Sequence, residues 1–256
     1  MMLHAIEAGH GQPPLVLLHG LFGSARNFGL LQREFASRQR TIALDLRNHG
    51  ASPHDANMRY ADMAADVMQT LDQLSALPAI LLGHSMGGKV AMQAALAYPE
   101  SVARLIVADI APVSYPPHYR DIANAMAALP MAPGMTRAEA DAALTQSVPD
   151  AAMRAFLLQN IRLGAAPAWR IGLDEIVAEF AEIEGWDAPA DARYSGPTLF
   201  VAGATSRYIQ SEHRPIIRSW FPSARFVTLK NAGHWLHADN PSGFIAVVEG
   251  FLTMTS

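Results

Sequence analysis

The chain has 256 residues, 50% of them hydrophobic and 16% charged, a composition that fills a core and excludes a disordered chain. Lys and Arg number 19 against 23 Asp and Glu, a net charge of −4, which excludes a protein built to coat nucleic acid, since phosphate neutralisation needs a basic face. Cysteine is absent, which removes disulfides, thiolate-ligated metals and a cysteine nucleophile together. The opening MMLHAIEAGHGQPPL has neither a basic stretch nor a continuous apolar run, so it reads as no signal peptide. No apolar run reaches the roughly 18 residues of a membrane span. The expectation is a soluble, cytoplasmic protein of one domain with an insertion.

In chain order, LVLLHG (15–20), TIALD (41–45), AILLG (79–83) and RLIVAD (104–109) are short apolar runs that read as buried strands. Helical spacing separates them, as from Tyr60 to Leu74 and from Lys89 to Tyr98. Strand and helix in rotation predict an α/β fold, with a mostly parallel sheet covered on both faces. The rhythm stops over 112–194, where no strand is evident and helices are expected near 117–129, 136–147, 150–162 and 171–185. An all-helical block between two strands of one sheet reads as an inserted lid, leaving 1–111 and 195–256 as the core. TLFVAG (198–203) and RFVTL (225–229) resume the strands, and a closing helix follows. Asp239 or Asn240 caps that helix, Pro241 opens it, and Phe244, Ile245, Val247, Val248, Phe251 and Leu252 form its apolar stripe.

The strongest chemical signal is Gly83-His84-Ser85-Met86-Gly87, after a strand and before a helix. In that setting G-x-S-x-G lifts a serine hydroxyl above the sheet on a tight turn, and small residues two places away let the chain fold back. Gly83 to Lys89 also fits the body of a phosphate-binding loop, G-x-x-x-x-G-K, but Val90 stands where a Ser or Thr would ligate magnesium. Lys89 then reads as a surface residue of the first helical turn.

A serine needs a base. His234, in Asn231-Ala232-Gly233-His234-Trp235 after the last strand, is the candidate, in preference to His237. The base needs a carboxylate to orient it. The loop after 198–203, Gly203 to Tyr208, has no carboxylate before Glu212, whereas the preceding strand run ends in Asp109. Asp109 is the first candidate, Glu212 the second, and Ser206 is an auxiliary hydrogen-bonding residue. His19-Gly20-Leu21-Phe22-Gly23 follows the first strong strand. The Leu21 amide there, with that of Met86, makes a candidate oxyanion hole. His19 reads as a loop brace. Asp45 to Pro53, with Arg47 and His49, reads as a structural loop too poor in ligands for a metal. Gly20, Phe22, His84, Tyr208 and Trp235 are expected to touch substrate. Met126, Met131, Met153, Phe156, Leu157, Trp169 and Phe180 supply the lid's apolar stock.

These motifs, H-G-L-F-G, D-L-R-N-H-G-x-S-P, G-H-S-M-G-G, D-I-A-P-V and G-H-W, resemble the α/β-hydrolase superfamily over nearly the whole chain outside the insertion. Within it they look like the YbfF-type bacterial esterases and their mitochondrial abhydrolase relatives. The resemblance implies an eight-stranded, mostly parallel sheet, a helical lid, and esterase or thioesterase activity on acyl substrates; the chemistry read here requires no metal or organic cofactor. It implies Ser85 as nucleophile, His234 as base, Asp109 as the acid of D-I-A-P-V, and Ser206 as a family serine in the loop where most hydrolases carry their acid. The same parts serve C–C bond hydrolysis or cofactor-free perhydrolysis. A non-catalytic ligand-binding protein is the reading from another class.

Overall fold

The computed structural model describes every residue except 118, 190, 255 and 256. The main strands are β1 (Ala5–Ala8), β2 (Leu15–Leu18), β3 (Thr41–Leu44), β4 (Ala79–His84) and β5 (Val102–Ala108). Two short strands, β6 (Ile161–Arg162) and β7 (Ala168–Trp169), precede β8 (Thr198–Gly203) and β9 (Ala224–Leu229). The helices are α1 (Gly29–Ala36), α2 (Tyr60–Gln73), α3 (Met86–Ala97), α4 (Arg120–Ala127), α5 (Arg137–Leu144), α6 (Ala151–Leu157), α7 (Leu173–Ala178), α8 (Phe180–Glu184), α9 (His213–Trp220), α10 (Leu236–Asp239) and α11 (Pro241–Leu252).

Seven strands form one sheet in the order β1-β3-β2-β4-β5-β8-β9. All neighbours are parallel except β1, which pairs antiparallel with β3 at the edge. The six runs read from the sequence are all present. β1 is the strand of this sheet that the reading missed, because an edge strand of intermediate burial has no continuous apolar run. In the centre, β2, β3 and β4 are buried along their whole length, which is why they read as unbroken apolar runs.

The pleat sorts these side chains into two layers. Val16, Leu18, Ile42, Leu44 and Leu81 pack with α2, α3 and residues of the insertion. Leu15, Leu17, Ala43, Ile80 and Leu82 pack on the other face with α1 and α11. Each such Leu or Ile, fully buried, contributes about 1.5–3 kcal/mol of transfer free energy. On α11, Phe244, Val248 and Phe251 are the buried members of the expected stripe, and the capping side chain is that of Asn240, which accepts from the Gly243 amide. Asp239 instead ends α10, a helical turn absent from the sequence reading, and accepts from the Gly233 amide.

The insertion between β5 and β8 differs from expectation in two respects. Among the described residues it holds five α-helices, because the expected span 171–185 breaks at Glu179 (φ −104°, ψ 20°) into α7 and α8. It also holds a strand pair, β6 and β7, with Ile161 opposite Trp169. Strands of two residues are too short to show a period of two. The first expected helix, near 117–129, is observed as α4, and residue 118 lies outside the described residues.

Register places the site. His84 at the end of β4 is level with Ala108 at the end of β5, and Ala108 with Val201 of β8. Ser85, Asp109 and the loop after Gly203 therefore leave the sheet side by side at its carboxyl edge, where ligands of open α/β sheets bind.

Candidate active site

Ser85 joins β4 to α3 with φ 53° and ψ −122°, a left-handed conformation that costs a non-glycine residue of order 1–3 kcal/mol. The flanking glycines make the turn feasible. A Cβ on Gly83 would lie 2.1 Å from the Gly87 carbonyl oxygen, and one on Gly87 would lie 2.2 Å from that of Leu18. The serine is also tied to the sheet, its amide donating to the Ala108 carbonyl at 3.0 Å.

Ser85 Oγ lies 3.0 Å from His234 Nε2, and His234 Nδ1 lies 2.8 Å from Asp109 Oδ2. A carboxylate only accepts, so Nδ1 carries the proton and Nε2 is left to accept from the serine hydroxyl. Asp109 is fully buried. Its Oδ1 accepts from the Gly203 amide at 3.0 Å, and the Ser206 hydroxyl donates to its Oδ2. Ser206 Oγ in turn accepts from the Tyr208 amide at 3.2 Å. A buried carboxylate is tolerated only with this kind of satisfaction. Glu212, the second candidate acid, is exposed at the start of α9, where the Ser211 hydroxyl donates to it.

The imidazole of His234 sits between two rings. Tyr208 stacks on it with centroids 4.0 Å apart, and His84 lies 4.8 Å away. His84 Nε2 is 2.7 Å from the His234 carbonyl oxygen, to which it donates. Burial holds the His84 pKa well below its ordinary value, and the neighbouring His234 and His237 act in the same direction. His237 packs against Phe28 and His84 rather than reaching Ser85, and burial lowers its pKa to about 4.

A cavity of about 530 Å³ opens over the serine. Gly20, Leu21, Phe22, His84, Ser85, His234 and Trp235 line it, which gathers every expected contact residue except Tyr208. A Cβ on Gly20 would lie 3.1 Å from that of Ser85, so the Gly20–Leu21 backbone runs against the nucleophile. Met86 is the first residue of α3, where amides have no acceptor within the helix.

The sequence reading missed Phe28, which lines this cavity. Of the insertion's apolar stock, Met153 and Phe156 also line it. Met126 and Leu157 are buried packing residues, the Met126 carbonyl accepts from the Trp169 indole, and Met131 packs on a separate small cluster.

Lys89 requires a correction. It is 1% exposed rather than on the surface. Residues 86–96 of α3 are buried on every side, so a side chain four residues after Ser85 had no solvent to reach. Its ammonium donates to the carbonyls of Glu184 and Gly185 and lies over the Tyr60 and Tyr115 rings. The Asp45–Pro53 segment is the structural loop expected. Asp45 accepts from the Ala25 and Ala51 amides and from His4, and Arg47 pairs with Asp66 at 2.7 Å. His19 braces this region, accepting at Nε2 from the Leu46 amide at 3.0 Å.

The family described as alpha/beta hydrolase fold matches residues 13–241. The sn-1-specific diacylglycerol lipase ABHD11 of Mus musculus is 41% identical over 249 residues, 94% of this chain and 81% of that one. Esterase YbfF of Escherichia coli K12 is 35% identical over 247 residues, covering 95% and 94%. A solved structure described as a marine microorganism esterase superposes with a TM-score of 0.94 at 34% identity, covering 98% and 99%. With a seven-stranded sheet, a serine on a strand-to-helix turn and relatives named as carboxylic ester hydrolases, the chain belongs to the α/β hydrolase fold family, on its esterase and lipase side.

Proposed function

We propose that this chain hydrolyses carboxylic esters or acyl thioesters of small molecules through a covalent acyl-enzyme. The observation that carries the reading is the hydrogen-bonded run from Ser85 Oγ through His234 to the buried Asp109, at 3.0 and 2.8 Å. Ser85 Oγ attacks the carbonyl carbon while its proton passes to His234 Nε2. The oxyanion is held by the Leu21 and Met86 amides, and collapse breaks the bond to the leaving group, which takes the proton from His234. Water then attacks the acyl-enzyme, gives its proton to His234, and the acid leaves as Ser85 regains the proton. Asp109 orients the ring and stabilises the imidazolium, with Ser206 supporting the carboxylate. In this reading, 112–194 is a lid over the core, and Met153 and Phe156 are its contribution to the cavity. Among the described residues, no helix is long and apolar enough to cross a membrane.

Fluorophosphonate labelling followed by peptide mapping tests the reading. The adduct is expected on Ser85 and is lost in Ser85→Ala, together with roughly 10⁶-fold of kcat. A Ser85→Ala rate within tenfold of the wild type overturns it.

A further inference from the structure

Ser85 stands on the boundary between two cavities. The larger, about 530 Å³, contains His234 and reaches solvent beside Leu30, which is 40% exposed. The smaller, about 60 Å³, lies on the other side of the serine. It includes Met86 and Tyr208 but not His234, while Leu21 borders both. Tyr60, Lys89, Phe180 and Ile183, all buried, line it, together with the exposed Pro116.

The chemistry assigns the two sides, on the reading proposed above. The imidazole that accepts the serine proton must return it to the departing oxygen or sulfur, so the leaving group lies on the imidazole's side. The hydrolytic water arrives from that side too. With its carbonyl oxygen at the Leu21 and Met86 amides, the acyl group points away from the ring, into the smaller cavity. A water-sized group needs about 10–15 Å³ of such space, so that cavity takes about four to six non-hydrogen atoms.

The floor also sets the charge. Lys89 spends its donors on the Glu184 and Gly185 carbonyls and its charge on the faces of Tyr60 and Tyr115. Beside it, Glu184 Oε1 is buried without a hydrogen-bond partner, while its Oε2 accepts from the Arg120 guanidinium. An anionic acyl end would meet a cation already held by two carbonyls and a carboxylate already paired with Arg120.

We propose that the enzyme selects short, uncharged acyl groups of about two to four carbons, held in the smaller cavity bounded by Phe180 and Ile183, and accepts a large alcohol or thiol in the larger cavity beside His234.

The test is a series of 4-methylumbelliferyl esters from acetate to dodecanoate, with the hemisuccinate included, measured on protein whose Ser85 labels with fluorophosphonate. Expected is a kcat/KM maximum at acetate to butyrate, a fall of about tenfold or more by octanoate, and a hemisuccinate slower than butyrate. Phe180→Ala, or Ile183→Ala if the first does not fold, should move the maximum toward hexanoate or octanoate. Phe156→Ala, in the larger cavity, should leave the chain-length maximum in place. Octanoate equal to butyrate in the wild type, or a maximum lengthened by Phe156→Ala and not by either smaller-cavity variant, overturns the assignment. Failure of Ser85 to label overturns the serine mechanism itself and is thereby distinguished.

Discussion

His84 donates a hydrogen bond from Nε2 to the main-chain carbonyl of His234 at 2.7 Å, so the residue before the nucleophile holds the loop that carries the base. The bond spans 150 positions of sequence and sets the height of the His234 ring over Ser85. His84→Phe keeps the ring and removes the donor. The expected result is a kcat lower by about 5- to 30-fold, the value of one buried hydrogen bond of roughly 1–2 kcal/mol, with a matching fall in the fluorophosphonate labelling rate. Stopped-flow labelling of the variant and the wild type checks it.

The two candidate acids should separate by orders of magnitude. Asp109→Asn leaves a side chain of the same shape but no charge to orient His234 or stabilise its imidazolium, and kcat should fall by roughly 10⁴-fold. Glu212→Gln, at an exposed position, should stay within about twofold of the wild type, since surface changes away from a site rarely matter. Steady-state hydrolysis of one ester by both variants decides, and the reverse ranking would move the acid to the loop after β8.

Gly87→Ala tests the turn. Its new methyl would meet the Leu18 carbonyl oxygen at 2.2 Å, forcing β2 and α3 apart at the point where Ser85 faces Gly20. The expected outcome is a chain that folds less stably and loses at least about 100-fold of kcat, because displacement of about 1 Å at a reacting centre costs that much. Circular dichroism melting with activity on the same sample measures both.

Acid should destabilise the fold through buried neutral histidines. Burial lowers the His49 pKa to about 3, with the nearby His19 adding to the effect. In the unfolded chain its pKa returns to about 6.5. Between these values the unfolded state binds a proton that the folded state refuses, so stability falls as pH drops from about 6.5 toward 3. The slope from this one residue approaches about 1.4 kcal/mol per pH unit. His49→Gln should flatten the dependence of the urea midpoint on pH over this window, even though it lowers the midpoint at neutral pH by disturbing the bond from the Phe22 amide.

Much of the fold was determined by sequence alone. Central parallel strands buried on both faces must be unbroken apolar runs, as β2, β3 and β4 are, and the six runs read as strands are all present, the partly buried edge strand β9 included. The nucleophile turn was legible for a similar reason, since Gly83 and Gly87 mark places where backbone meets backbone. His234 and Asp109 could be nominated from their places after β9 and at the end of β5, but their meeting is a property of strand order. β4, β5, β8 and β9 lie side by side although the insertion separates β5 from β8 in the chain, and no local pattern encodes that adjacency. Tertiary structure alone decided what depends on packing from distant segments. It buried Lys89 under the end of α8, turned Tyr208 onto the face of His234, and divided the space at Ser85 into two cavities of unequal size. Side-chain type reports a residue's own preference for water, whereas a cavity is the space that several unrelated segments leave unfilled.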